Sequence, residues 1–225
     1  MASSYKTAIS FNNKLIHVKM VKASKDNSIE FNQLCKDSRE RVRYHKYCPN
    51  CDKEVTTDNI IKGYKISENR YVEITNDDLQ SIKTPQDDLL TIQYFCNIKS
   101  IHPLYIDKNY YLQPELESLK DYKIFHQAML SKGMCAICEI VIGVKQELVA
   151  IIPYYDYMIA AILFYDYEIK EYPHIGSPMI SYNDLEIAEK FIDKNNKKYF
   201  DFEIHYDKYQ EKLKKLIVQK ANEQK

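Results

Sequence analysis

Apolar and polar residues alternate from Ile16 to Met20, with Ile16, Val18 and Met20 on one side and His17 and Lys19 on the other. A period of two marks a strand with one buried face. Asn12-Asn13, just before it, tolerates a left-handed turn. Ile29–Leu34 and Arg39–Tyr47 are further strand candidates, and Tyr71–Thr75, Ile92–Cys96 and Tyr110–Leu112 are short strand-like runs between turn-rich segments. At Pro114 the period changes. Leu116, Leu119, Tyr122 and Phe125 recur every three residues, Met129 follows four later, and Gly133 lies past the end, which predicts a helix to Lys132. Two strands, Met134–Ile142 and Glu147–Tyr154, come next. A third, Tyr157–Tyr167, is apolar on both faces and so belongs in the middle of a sheet. Beyond Pro173 and Pro178, Asn183 with Glu186 resembles a capping box opening a helix over Asp184–Asp193. A last helix runs from about His205 to Gln219, with Tyr209, Leu213, Leu216 and Ile217 on one face. The pattern predicts a mainly β (α+β) body over residues 1–180 and a helical arm or tail over 181–225.

Composition narrows the class. The 225 residues are 45% hydrophobic and 28% charged, which excludes wholesale disorder. The longest apolar stretch, Leu148–Tyr167, contains Pro153 and Asp156 and is too polar for a membrane span. The first ten residues lack the apolar stretch of a secretory signal, so the six cysteines read as reduced thiols or metal ligands of a cytoplasmic protein. Four glycines leave no glycine-rich loop to cradle a nucleotide phosphate. The net charge is zero but uneven: residues 1–65 carry 13 basic against 7 acidic side chains, and 191–225 carry 9 against 6. An anionic partner is therefore expected at the two basic ends.

The chemistry-bearing residues cluster in the first of those ends. On a regular strand Arg39, Arg41, Arg43 and His45 would share one face at a spacing of about 6.6 Å, twice the strand rise, and arginine suits bidentate phosphate contacts. The plainer reading is a solvated sheet face. Lys19 and Lys22 end the first strand, Lys46, Lys53 and Lys62 flank the cysteine turn, and each is a candidate phosphate contact or a solubilising lysine. No base-reading helix or stacking platform is evident, which fits backbone readout. Cys48-Pro-Asn-Cys51 has the spacing of a zinc knuckle, and Cys35 and His45 would complete a tetrahedral structural site; the alternative is three thiols without metal. Cys135 and Cys138, in a strand-like run, would face opposite sides and pack in the core, as would Cys96. Asp77-Asp78 and Asp87-Asp88 read as solvated loops. No nucleophile–base constellation accompanies His102 or His126, so no catalytic residue is named and no cofactor is required beyond the candidate structural zinc.

One family resemblance runs through the chain. It enters at Ile9-Ser10-Phe11, continues at Val18-Lys19 and Ile29–Leu34, and is densest from Arg41 through Val55 and at Ile61-Lys62-Gly63-Tyr64. It returns at Tyr105–Glu115 and at His205–Tyr209. This order resembles the bacterial Ku family, the DNA-end binders of prokaryotic non-homologous end joining. The chain departs from the family pattern at Asn12-Asn13-Lys14-Leu15, at His17 and at Phe164. The resemblance implies a Ku-type β-barrel core with a bridging arm and a C-terminal helical segment. It implies a homodimeric ring around double-stranded DNA ends that grips sugar-phosphate, recruits an ATP-dependent DNA ligase, has no active site of its own and works at the nucleoid rather than a membrane. The competing reading is a zinc-knuckle interaction or transcription-associated module.

Overall fold

The computed structural model describes residues 4–11, 13–68, 70–83 and 88–223. The chain begins with β1 (Ser4–Phe11) and β2 (Lys14–Lys22). Two small ladders follow, β3 (Tyr47–Cys48) with β4 (Lys53–Glu54) and β5 (Lys62–Ser67) with β6 (Arg70–Ile74), then the short helix α1 (Asn76–Ser81). β7 (Leu90–Asn97) and β8 (Ile106–Pro114) lead into α2 (Leu119–Lys132). β9 (Met134–Ile142), β10 (Lys145–Tyr154) and β11 (Tyr157–Leu163) form a meander, and α3 (Tyr182–Asn195) and α4 (Lys208–Glu223) come last.

Seven strands close into a barrel in the order β1-β2-β8-β11-β10-β9-β7. Seven is odd, so strands of alternating direction cannot close without one parallel seam. That seam is β1 against β7, where Ile9 lies opposite Leu90 and Ser10 opposite Thr91. The hairpin register sets the interior: Ile9 faces Ile16, and Ile16, Val18 and Met20 are buried as their alternation predicts. β11 pairs with β10 along one edge and β8 along the other, and its two apolar faces are both covered, Met158, Ala160 and Ile162 in the interior cluster and Ala161 and Leu163 in a second one. Cys138 joins the interior cluster, and Cys135, three residues earlier, joins a second cluster on the other face of β9 with Ile137, Ala150, Ala161 and Leu163.

Helix α2 lays Tyr122, Phe125 and Met129 against the interior cluster. Gly133 ends it with φ 63°, a left-handed cap that glycine adopts without a Cβ penalty. Tyr122 is the staple. Its buried hydroxyl donates to Leu112 O at 2.8 Å and accepts from Met158 N–H at 2.7 Å, tying α2 to β8 and β11. Lys14 pairs with Asp121 at 2.9 Å, and His17 N–H donates to Ser118 Oγ at 2.9 Å.

Several expectations change. Leu116 and Leu119 stay out of the core; Leu116 sits in a 3₁₀ turn and is 91% exposed, because the α-helical register starts only at Leu119. Neither Ile29–Leu34 nor Arg39–Tyr47 is a regular strand: they share one isolated bridge, Leu34 with Arg41, and only Tyr47 enters a strand. Asp77-Asp78 is helical, with Thr75 and Asp78 forming a capping box. Asp87 and Asn12 lie outside the described residues. α3 starts at Tyr182 after Ser181 and makes no side-chain cap bond there.

The chain divides into two compact units, one of residues 1–26 and 33–170 and one of 27–32 and 171–225. No described residue is buried between Val21 and Leu89, nor from Phe164 to Glu223. Both stretches are rich in large apolar side chains, Tyr64, Tyr71, Phe191 and Phe202 among them, all exposed. Among the described residues no helix is long and apolar enough to cross a membrane.

Replacing Tyr122 by Phe leaves the Leu112 carbonyl and the Met158 amide without their partner. The expected loss is about 1–3 kcal/mol of unfolding free energy, read as a lower urea midpoint at unchanged slope.

Candidate nucleic-acid interface

The first patch is on the barrel wall. On β2 the side chains of Ile16, Val18 and Met20 turn inward, which sends Lys19 outward. The β1–β2 register puts Lys6 directly opposite Lys19, both exposed. Like charges facing each other across a ladder are destabilising unless something between them carries the opposite sign. No carboxylate among the described residues pairs with either lysine, so the juxtaposition suits a bound anion. Lys6 was invisible to the chain pattern, because its place beside Lys19 depends on the hairpin register. Lys22 ends β2 opposite Tyr110 of β8 and is exposed.

The second patch is built on turns. Gln33–Cys35 and Glu40–Val42 form a short hairpin, with Cys35 N–H donating to Glu40 O at 2.8 Å and Val42 N–H donating to Gln33 O at 2.9 Å. Arg39 closes its tip in a left-handed conformation, φ 60°. That reversal is why Arg39, Arg41, Arg43 and His45 do not form the expected single-face strand stripe. Arg41 is in the bridge with Leu34, and Arg43 has left the ladder. Arg41 and Arg43 nevertheless line one open cleft with Glu40, Val42 and Tyr44. Neither arginine, nor Arg39, makes an ion pair among the described residues. His45 is drawn elsewhere, its Nδ1 bonded to the Glu54 carboxylate.

β3 and β4 make the next hairpin, in which Cys48 opposes Lys53 and Tyr47 opposes Glu54. Val55 N–H donates to Lys46 O at 2.8 Å, which extends the ladder and leaves the Lys46 side chain exposed. Lys62 starts β5, exposed, with Nζ donating to Asn76 Oδ1 at 3.2 Å. All eight basic residues expected at the interface are therefore on the surface.

The thiols of this region are held by turns. The Cys51 amide, and next the Cys51 thiol, donate to Cys48 Sγ, which holds the Cys48 thiol below its usual range and pushes Cys51 above it. Asp52 follows with φ 49°, the left-handed residue that lets the turn close. Cys35 Sγ accepts first from the Ser38 side chain and then from the Ser38 and Asp37 amides, which lowers it to about 7. Among the described residues no three His, Cys, Asp or Glu side chains gather as metal ligands. The set Cys35, Cys48, Cys51 and His45 is thus not assembled as a tetrahedron: two thiols are neighbours, the third is bonded within its own turn, and the imidazole is engaged by Glu54.

Residues 10–198 match the family model described as the Ku70/Ku80 beta-barrel domain. The chain belongs to the Ku family. It is 34% identical over 220 residues to a Non-homologous end joining protein Ku of Lachnoclostridium phytofermentans, covering 97% of this chain and 85% of the relative. A protein of the same name from Archaeoglobus fulgidus is 33% identical, covering 99% and 89%. One from Bacillus subtilis is 27% identical, covering 99% and 72%. The closed barrel of this Ku-family chain agrees with the matched domain, and the Ku match takes in β2, the Gln33–Val42 turn and the β3–β4 hairpin, while Lys6 lies ahead of it.

With Cys48 and Cys51 replaced by serine, alkylation of Cys35 should rise through a midpoint near pH 7, where the lowered value leaves thiol and thiolate in balance. Ser38→Ala removes the largest stabilising bond and should move that midpoint upward. Rate against pH with iodoacetamide checks both.

Proposed function

We propose that this chain binds double-stranded DNA ends without regard to sequence in non-homologous end joining, as a homodimer that closes a ring around the duplex. The observation that carries the reading is the burial pattern. The barrel completes its own core, while none of the described residues in 21–89 and 164–223 is buried and many of their large apolar side chains are exposed. A two-stranded ladder such as β5–β6, all of whose β5 residues are exposed, is marginal alone in water. A second copy offers the same unburied surface in two-fold symmetry, and obligate homodimer contacts of this apolar kind commonly bury more than about 2,000 Å².

The basic groups supply the grip. Lys6 with Lys19, Arg41 with Arg43, and Lys22, Arg39, Lys46, Lys53 and Lys62 present cations that suit phosphate oxygens and read no base edge. Enclosure does the rest, since a ring threaded on a duplex leaves only by sliding off an end, and modest contacts then give long residence. The relatives' name supports the end-joining role. In this reading the chain performs no reaction itself, acts in the cytoplasm at the nucleoid, and hands the held end to an ATP-dependent DNA ligase.

Three outcomes test the proposal. Linear duplex should compete for the protein in a gel shift, and the same duplex closed into a circle should not; equal competition by both refutes end loading. Affinity for linear duplex should fall about 10³-fold or more between roughly 50 and 200 mM salt, as counterions released by several phosphate contacts are re-paid. The double substitution Arg41→Glu, Arg43→Glu should weaken end binding at least about tenfold while sedimentation still reports a dimer. A monomer in sedimentation of the native chain would remove the ring.

A further inference from the structure

Cys96 on β7 and Cys135 on β9 stand directly opposite each other in an antiparallel ladder, with their sulfurs 3.4 Å apart. Two residues further on, Ile98 N–H donates to Gly133 O. Hydrogen-bonded pairs recur at every second residue of such a ladder, so Cys96 and Cys135 occupy a hydrogen-bonded position, with Cα atoms about 5.5 Å apart. That separation lies within the span of a disulfide. The pair is on the outer side of β9, in the cluster that Ile98, Ile101 and Ile106 cover. Cys138 faces the barrel interior instead. Cys96 is half-buried and Cys135 fully buried, so a small oxidant meets Cys96 first.

We propose that Cys96 and Cys135 are a peroxide-responsive dithiol that closes into a cross-strand disulfide. The Cys96 thiolate attacks one oxygen of hydrogen peroxide and the O–O bond breaks. The departing hydroxide takes a proton and leaves as water, and Cys96 carries a sulfenic acid. The Cys135 sulfur then attacks the Cys96 sulfur. The S–O bond breaks, and the hydroxyl leaves as a second water with the Cys135 proton. Two thiols lose two electrons and two hydrogens, and one peroxide becomes two waters. Burial, followed by the bond to Cys96, pushes the Cys135 thiol up to about 12, so Cys135 serves as the resolving sulfur; contact distance offsets its small thiolate fraction. The product would bolt β7 to β9 beneath the 98–106 cover.

Peptide mapping of the full chain after hydrogen peroxide, with denaturation in N-ethylmaleimide, tests the pairing. The expected product is a peptide joining Cys96 to Cys135, two hydrogens lighter than its parts and separated by dithiothreitol, with Cys138 alkylated. In Cys135→Ala, dimedone should label Cys96, and in Cys96→Ala, Cys135 should remain alkylatable. Cys96 recovered as sulfinic acid beside an alkylated Cys135 in the native chain overturns the proposal, and so does linkage of either residue to a different cysteine. The native-chain map stands even if a variant folds poorly, and it reads chemistry independent of DNA binding.

Discussion

The parallel seam between β1 and β7 is the constraint on which the rest of the molecule hangs. Antiparallel neighbours can be joined by a tight turn, but parallel ones require the chain to travel away and return. β2 follows β1 through a short turn and runs back along it, and the chain then reaches β7, on the other side of β1, only after a long detour. It leaves the barrel at Lys22 and re-enters at Leu90. Everything between is an excursion held at both ends by barrel strands, β2 and β7, which flank β1 on either side. The excursion carries Arg39, Arg41, Arg43, Lys46, Lys53 and Lys62.

This arrangement separates stability from contact. The barrel buries Ile9, Leu90, Val149 and Ile151 completely, and Tyr122 ties the covering helix to two strands. None of the excursion's described residues is buried, so its surface is free to be shaped by what it touches. The same division appears after β11, where the barrel ends and a second stretch of exposed apolar side chains, part of it on α3 and α4, begins.

The sequence made some of this legible and hid the rest for physical reasons. The alternation at Ile16–Met20, the period of Tyr122, Phe125 and Met129, and the doubly apolar run expected over Tyr157–Tyr167, of which Tyr157–Leu163 is strand, were readable because each reports burial inside one subunit. Arg39–Tyr47 misled because its alternation of charged and apolar residues has no core to answer to. A left-handed Arg39 turned the chain where a strand was expected. Leu116 and Leu119 looked like core for the same reason, since spacing alone does not reveal where the helical register begins. Among the basic residues, those adjacent in sequence were visible, whereas Lys6 gained its meaning only from lying across the ladder from Lys19. The opposing orientation of Cys135 and Cys138 followed from strand geometry, but the closeness of Cys96 to Cys135 needed the pairing of β7 with β9.

The chain's frugality with glycine leaves a mark on its corners. Only four glycines are present, and among the described residues Asn13, Arg39, Asp52 and Tyr155, none of them glycine, occupy left-handed backbone positions. Asn and Asp tolerate that geometry well, but Arg39 and Tyr155 bend against their own Cβ atoms at a cost of about 1–2 kcal/mol each. Those two corners work as loaded springs in an otherwise relaxed scaffold. They are therefore the places where a heat-hardened version of this protein could be made without touching its core.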